Sequence, residues 1–352
     1  MRNHEVDFNY FSQEDLLDSD CFDMPVIMDV VEQTLVGFER GSIMYPEKIV
    51  QIFNQDTQER INCLPATLLE DKICGVKWVS VFPENPVKYR LQNLSAIFVL
   101  SEIKHGFPVA VMDGTLASNM RVGAVGAVAA KYLAKKDAQT IGLIGTGEQA
   151  KMHLLAMKAA RPSLKICRFA SLSAAEDNEF IAQLSPILPD IQFISGSGDL
   201  KTVIQDADIL VTATSAQAPL LKAEWVKPGA FYSHVGGWED EYAVATQSDK
   251  IVCDDWNTVK HRTQTLSRMF HEGLLDSHDI HADLHEIVSG SKPGRESDQE
   301  RIYFNAVGLS YLDVAIALTM YRRAKEAGVG QSLELQHEMI FEHPDIDKKI
   351  CL

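Results

Sequence analysis

The sequence predicts an α/β protein in which a doubly wound parallel sheet is inserted into a split α+β domain. Four observations carry this. A glycine-rich turn joins an apolar strand to a helix at residues 140–150, and strands and helices alternate from there to about residue 253. The first 120 residues hold strand signals in succession, and a helical tail at 310–327 is expected to return to them. The boundaries expected are 1–122 together with 306–352 for the split domain and 123–305 for the inserted one.

Each element follows from its pattern. Residues 29–40 have helical spacing, whereas 48–53, 61–65, 74–81, 95–101 and 108–112 read as strands. Hairpin-like spacing and turns such as His105-Gly106 make these an antiparallel or mixed sheet. The apolar run Thr140-Ile141-Gly142-Leu143-Ile144 then ends in Gly145-Thr146-Gly147-Glu148-Gln149-Ala150, and a helical pattern follows at once. Strand, tight turn and helix in that order hold a dinucleotide pyrophosphate. Gly145 makes the turn, Gly147 lets the backbone approach the phosphates, and Ala150 is small enough for the helix to pack on the sheet. The helix N-terminus presents free N–H groups to the anion. Beyond it, 164–172, 191–195, 208–214, 230–235 and 250–253 read as strands, with helices at 174–184 and 199–207 between them. The inserted block is therefore expected to be Rossmann-type, and a nucleotide-cofactor enzyme is the default.

Composition narrows the class. The 352 residues are 46% hydrophobic, enough for two cores, and 49 acidic against 33 basic residues give a net charge of −16. That balance argues against nucleic acid and anionic membranes as partners. Cys21, Cys63, Cys74, Cys167, Cys253 and Cys351 form no CxxC pair, so neither a disulfide framework nor a zinc site is indicated. The start of the chain, Met1-Arg2-Asn3-His4-Glu5-Val6-Asp7, lacks the cationic-then-apolar order of a signal peptide. The longest apolar stretch, 122–134, is interrupted by Lys131 and too short to span a bilayer. A reduced, soluble, cytoplasmic protein is expected. The histidines of His278-Asp279-Ile280-His281-Ala282-Asp283-Leu284-His285 share one face if the segment is a helix. They serve either as metal ligands or, as the expectation here, as the polar side of an amphipathic helix with Ile280, Leu284 and Ile287 inward.

Several motifs recur around the glycine turn. They are Gly75-Val76-Lys77-Trp78, Asn119-Met120-Arg121 heading a Gly/Ala-rich helix, and Asp249-Lys250-Ile251-Val252-Cys253-Asp254-Asp255-Trp256. Pro293-Gly294-Arg295-Glu296-Ser297-Asp298 and Asn305-Ala306-Val307-Gly308 complete the set. In this order the chain resembles the ornithine cyclodeaminase/mu-crystallin family, from about Tyr45 to Leu335. The resemblance implies a dinucleotide domain inserted into a split substrate-binding and dimerisation domain, a homodimer, and chemistry at an amino-acid C–N bond. Its members include cyclodeaminases, alanine dehydrogenase, ketimine reductases and a siderophore-pathway dehydrogenase that oxidises N-(2-amino-2-carboxyethyl)-L-glutamate.

By the same resemblance Arg121 clamps the substrate carboxylate, a task suited to a planar fork, and the alternative is a surface ion pair. Lys77 matches the family's substrate lysine, and the alternative is a snorkelling edge residue. Lys48 stands where a further carboxylate-binding cation is expected. Cyclodeaminases carry a Gly-Gly-Asp or Gly-Ala-Asp motif whose aspartate is a general acid/base. This chain reads Gly236-Gly237-Trp238-Glu239-Asp240-Glu241, with Trp238 in the aspartate's place. Glu239 or Asp240 either reaches the site instead or belongs to a solvated acidic loop. The candidate cofactor contacts are Gly145, Thr146, Gly147, Glu148, Gln149, Ser171, Thr214, Ser215, Val235, Gly236 and Val307. Aligned from Gly145, the ribose-binding position falls at Ala170, followed by Ser171, Leu172 and Ser173 and preceded by Arg168. With no carboxylate in that run, NAD and NADP both stay open.

Three readings compete. The first is an NAD(P)-dependent oxidoreductase acting on the C–N bond of an α-amino acid or N-carboxyalkyl amino acid, with the N-(2-amino-2-carboxyethyl)-L-glutamate dehydrogenase branch nearest in motif and a ketimine or opine-type reductase next. The second is ornithine cyclodeaminase, releasing proline and ammonia with NAD used catalytically. The third is a binding protein that keeps the fold without turnover.

Overall fold

The computed structural model describes residues 5–196 and 198–350; residues 1–4 of the polar start and Cys351 lie outside the described residues. The chain divides into two compact units. The first comprises Met1–Phe22, Ser42–Ala117 and Asp313–Leu352, and the second comprises Asp23–Gly41 and Ser118–Leu312.

The first unit is built on a mostly antiparallel sheet of eight strands. In spatial order these are Gln331–Gln336, Val6–Phe11, Pro108–Asp113, Leu94–Glu102, Ile73–Val81, Glu59–Leu68 and Ile43–Met44, with Ile49–Asn54 also pairing on Glu59–Leu68. All five strands read from the sequence are present. Val6–Phe11 and Gln331–Gln336 join them from outside the expected set, the former pairing parallel to Pro108–Asp113. Strand Ile73–Val81 alternates buried and less buried positions. Period 2 therefore turns Lys77 inward with Gly75 and Val79, while Trp78 faces out. The strand is flanked by neighbours on both sides, so Lys77 is not an edge residue.

The second unit holds an all-parallel sheet of eight strands: β1 (Thr140–Ile144), β2 (Ile166–Ala170), β3 (Gln192–Ser195), β4 (Ile209–Thr212), β5 (Phe231–His234), β6 (Lys250–Cys253), β7 (Ala282–Asp283) and β8 (Ile302–Asn305). Their order is β3-β2-β1-β4-β5-β8-β6-β7. The chain runs outward to β3 on one side of β1 and to β4 on the other, so the topological switch lies between β1 and β4, where α/β sheets bind ligands at the strands' carboxyl ends. β1, β4, β5, β6 and β8 are buried at every position, which explains their continuous apolar runs. β8 lies between β5 and β6 and has no counterpart among the expected strands. Four residues ending in a polar Asn305 make too short a run to stand out.

Helix Met24–Glu39 is capped by Asp23, whose side chain accepts from Val26 N, and carries Pro25 in its first turn. It starts earlier than the spacing predicts and groups with the second unit rather than with the rest of the first 122 residues. Its last turn explains this. Phe38 stacks on Tyr311 at 5.1 Å, and the Glu39 carboxylate pairs with His285 at 2.5 Å and accepts from Ser291. The Gly/Ala-rich helix Thr115–Leu133 packs close to helix Glu148–Ala160: a Cβ at Gly123 would lie 2.6 Å from the Met152 carbonyl oxygen.

The histidine segment is not one amphipathic helix. It is a turn, the short β7 and the helix Leu284–Ser289. His278 is 96% exposed at its side chain, His281 bonds the Pro293 carbonyl, and His285 faces Glu39. The three therefore share no face.

Candidate active site

The glycine turn sits at the switch point. Gly145 has φ +101°, its N–H donates to the Ala170 carbonyl at 2.8 Å, and a Cβ there would lie 2.7 Å from the Ala213 carbonyl oxygen. The ends of β1, β2 and β4 thus close around a residue that must be glycine. Gly147 is the N-cap of helix Glu148–Ala160, has no side-chain cap and would project a Cβ into open space. The first-turn N–H groups of a 13-residue helix therefore have no side-chain cap, and the N-cap position is open to an approaching anion. Gln149 donates to Asn119 at 2.6 Å, tying this helix start to helix Thr115–Leu133, and Glu148 pairs with Lys151. Gly145→Ala is expected to weaken dinucleotide binding at least about tenfold, because the left-handed φ and the carbonyl clash must both be relieved. Titration with reduced nucleotide, followed by fluorescence, checks it; unchanged affinity would remove the turn from the site.

The acidic segment after β5 is neither solvated nor free. Trp238–Asp240 pairs in parallel with Gln217–Leu221, and Glu239 and Asp240 are both fully buried. The Glu239 carboxylate accepts from Thr214 N and Thr214 Oγ1 at 2.6 Å each and from Thr212 Oγ1 and Gly236 N at 2.8 Å each. It therefore pins the loop after β4 to the loop after β5, joining two candidate cofactor-binding positions, Thr214 and Gly236. Asp240 accepts from Thr265 Oγ1 at 2.6 Å and from Tyr303 at 2.9 Å, and burial pushes its carboxyl above the ordinary range while His234 opposes the shift. His234 in turn bonds the Gly237 carbonyl at 2.8 Å and Tyr303 at 2.9 Å. The four protein donors on Glu239 leave that carboxylate little capacity for a proton in transit.

Two side chains not singled out by the sequence continue this bracing. Gln264 Nε2 donates to the carbonyls of Val235, Gly236 and Ala306, and its Oε1 accepts from Asn305 Nδ2 at 2.7 Å. Asp254 Oδ2 accepts from Val307 N at 2.9 Å and Gly308 N at 2.8 Å. Asp254 lies in a motif quoted above, but only the fold shows that it holds the turn after β8. Trp238 lies under Arg268, whose guanidinium carbon is 4.6 Å from the ring centre. Ser215 is exposed beside Thr214.

Arg121 is 7% exposed, which rules out the surface ion pair. Its guanidinium rests on Gly308 (φ +85°), where a Cβ would lie 2.8 Å from Nη1. His153 lies nearby: its Nδ1–H donates to the Gln149 carbonyl, and burial, reinforced by Arg121, depresses its pKa to about 4, so it is neutral. In the first unit, Lys77 is 2% exposed and its ammonium meets Asp313 at 2.8 Å, a buried ion pair. Lys48 is half-buried in the loop before strand Ile49–Asn54. The structure thus gathers the cofactor candidates and Arg121 in the second unit and places Lys48 and Lys77 in the first.

Comparison with known proteins agrees with this architecture. The family model for the ornithine cyclodeaminase/mu-crystallin family matches residues 17–328. The chain is 27% identical over 332 residues to N-((2S)-2-amino-2-carboxyethyl)-L-glutamate dehydrogenase of Staphylococcus aureus, covering 93% of this chain and 98% of that protein. It is 32% identical over 315 residues to alanine dehydrogenase of Archaeoglobus fulgidus, covering 88% and 94%. Among solved structures, Delta(1)-pyrroline-2-carboxylate reductase of Thermococcus litoralis, in complex with NADH and L-proline, superposes with a TM-score of 0.87 at 30% identity, covering 93% of this chain and all of the other.

Proposed function

This chain belongs to the ornithine cyclodeaminase/mu-crystallin family, and on that premise we propose that it is an NAD(P)-dependent oxidoreductase acting at the C–N bond of an α-amino acid or N-carboxyalkyl amino acid. The observation that carries the reading is the Gly145–Gly147 cradle at the switch point, surrounded by strand-end loops locked by Glu239, Gln264 and Asp254. Rigid loops at a preformed diphosphate site are what a redox cofactor needs for fixed orientation. When bound, the nicotinamide supplies a hydride acceptor for oxidation at Cα or a donor for reduction of an imine. Gly145, Thr146, Gly147, Glu148 and Gln149 are assigned to the diphosphate, Ser171 to the ribose, and Thr214, Ser215, Val235, Gly236 and Val307 to the remainder of the cofactor.

Arg121 is assigned the substrate carboxylate. It is buried and backed by a glycine, so its planar fork is held in place. Lys77, paired with Asp313 in the first unit, is assigned substrate binding on the family resemblance, and Lys48 is carried as a further substrate-binding cation. Glu239 and Asp240 are assigned positioning rather than proton transfer, since protein donors enclose both. The first unit is assigned substrate recognition and homodimerisation. Its outward Trp78, Ile97, Ile49 and Phe53 are 45%, 47%, 59% and 59% exposed, apolar surface that a second copy would cover. We place the enzyme in the cytoplasm; no helix among the described residues is long and apolar enough to cross a membrane.

Within the class, N-(2-amino-2-carboxyethyl)-L-glutamate or a related N-carboxyalkyl amino acid is the proposed substrate, supported by near full-length similarity to the Staphylococcus aureus dehydrogenase and by Trp238 in place of the cyclodeaminase aspartate. A panel of amino acids and N-carboxyalkyl amino acids with NAD and NADP, read at the nicotinamide absorbance, tests this. Net nucleotide reduction with at least one of them is expected. Proline and ammonia from ornithine without net reduced nucleotide would replace the reading with cyclodeamination.

A further inference from the structure

We propose that Asp177 makes the ribose site selective for an unphosphorylated 2′-hydroxyl, so that the chain uses NAD(H) in preference to NADP(H), acting through Ser171. The inference rests on the dinucleotide reading above.

In a dinucleotide sheet the acid that binds the ribose ends the second strand. Here β2 ends at Ala170, and the residues that follow, Ser171-Leu172-Ser173, contain no acid. The fold supplies one from the next helix. Asp177, in the first turn of Ala174–Leu184, is only 5% exposed, and its Oδ1 accepts from Ser171 Oγ at 2.6 Å. Its Oδ2 accepts from Ser195 Oγ at the end of β3, so the carboxylate is clamped between the tips of two adjacent strands. A charge in the first helical turn is favoured by the helix dipole, and two hydroxyl donors satisfy it.

This arrangement sets the polarity of the Ser171 hydroxyl. A hydroxyl has one proton. The bond to the carboxylate is shorter and charge-assisted compared with the 2.9 Å contact to the Ser173 carbonyl, so the Ser171 hydroxyl donates its hydrogen to Asp177. Ser171 Oγ also accepts from Ser173 N at 3.3 Å. What it offers a ligand is a lone pair. A ribose 2′-hydroxyl can donate to it, whereas a 2′-phosphate oxygen is another acceptor and meets the Asp177 charge behind it.

The neighbouring charges agree. Between Arg168 and Lys201 the sequence has no lysine or arginine, while Glu176, Asp177, Glu179, Asp190 and Asp199 are acidic. Arg168 is engaged elsewhere: its Nη1 donates to the Thr202 carbonyl at 3.2 Å and its Nη2 lies 3.9 Å from Asp206. Among the described residues of this segment, the cation that a 2′-phosphate requires is missing.

The test is titration of the full-length protein with NADH and NADPH, without substrate, for wild type, Asp177→Asn, Ser171→Ala and Leu172→Arg. Wild type is expected to bind NADH at least about tenfold tighter than NADPH. Asp177→Asn should narrow that ratio about tenfold, mainly by improving NADPH, and Ser171→Ala should weaken NADH a few-fold. Leu172 is 97% exposed, so Leu172→Arg leaves the fold intact and should shift the ratio toward NADPH even if Asp177→Asn folds poorly. Equal binding of both nucleotides by wild type, tighter NADPH, or an Asp177→Asn variant that changes both affinities alike overturns the inference alone. Binding of neither nucleotide overturns the proposed function with it.

Discussion

Arg121→Ala is expected to lower kcat/KM for the amino-acid substrate by roughly a hundred- to a thousandfold, with most of the change in KM. The range follows from truncating one partner of a buried, hydrogen-bonded charge pair, which costs about 2–5 kcal/mol. The side chain is 7% exposed, and it lies on a glycine whose backbone N–H is held by Asp254, so its fork is backed by a fixed turn. Arg121→Lys should recover only part of the loss, because a point charge cannot make two parallel bonds to a carboxylate. Gly308→Ala supplies an independent arm. A methyl there meets Arg121 Nη1 at 2.8 Å on a backbone with φ +85°, so it should mimic part of the Arg121→Ala defect while leaving the charge in place. Steady-state kinetics with saturating nucleotide measure all three, and a wild-type KM in Arg121→Ala removes this residue from substrate binding.

Glu239→Ala is expected to destabilise the protein by about 3 kcal/mol or more and to weaken nucleotide binding together with it. The substitution leaves the part-buried Thr214 N and Gly236 N without their acceptor and frees two threonine hydroxyls, a fully buried orphaned group costing about 1–3 kcal/mol and these part-buried ones less. Glu239→Gln tests the charge and the geometry separately. Its amide oxygen can keep the two bonds to Thr214, but its NH2 then opposes Gly236 N–H, so the loop after β5 should loosen while the loop after β4 is held. Thermal melting and NADH titration are the readouts. If Glu239→Ala melts like wild type and binds nucleotide equally well, the two loops are not held by this carboxylate. A general-base role for Glu239 predicts a different pattern, with normal melting and binding but lost turnover.

Much of this architecture is legible in the residues themselves. Gly145 and Gly147 announce their turn because strand, glycine and helix are consecutive, and every contact that makes the cradle is local or set by backbone conformation. The buried parallel strands show as short apolar runs, and helix Ala174–Leu184 is bounded by Ser173 as a cap. The short β8, the strands Val6–Phe11 and Gln331–Gln336 and the true start of helix Met24–Glu39 were less legible. Strand pairing between chain ends leaves no local signature, and four residues cannot establish a period.

The polar interior was not legible at all. In the sequence Glu239 and Asp240 fit a solvated acidic loop as well as a catalytic position, and the donors that decide against the loop come from β4, the loop after β5, β8 and Thr265. Lys77 finds Asp313 across most of the chain, and Ser171, just past the end of β2, finds Asp177 in the following helix. The sequence by itself determined the nucleotide turn, the alternation of strands and helices and the family motifs, because these depend on backbone preference and hydrophobic period over a few residues. Only the tertiary structure decided which charges are spent on holding loops and which remain for a ligand, because a buried carboxylate is defined by its donors, and these meet only where distant strand ends converge.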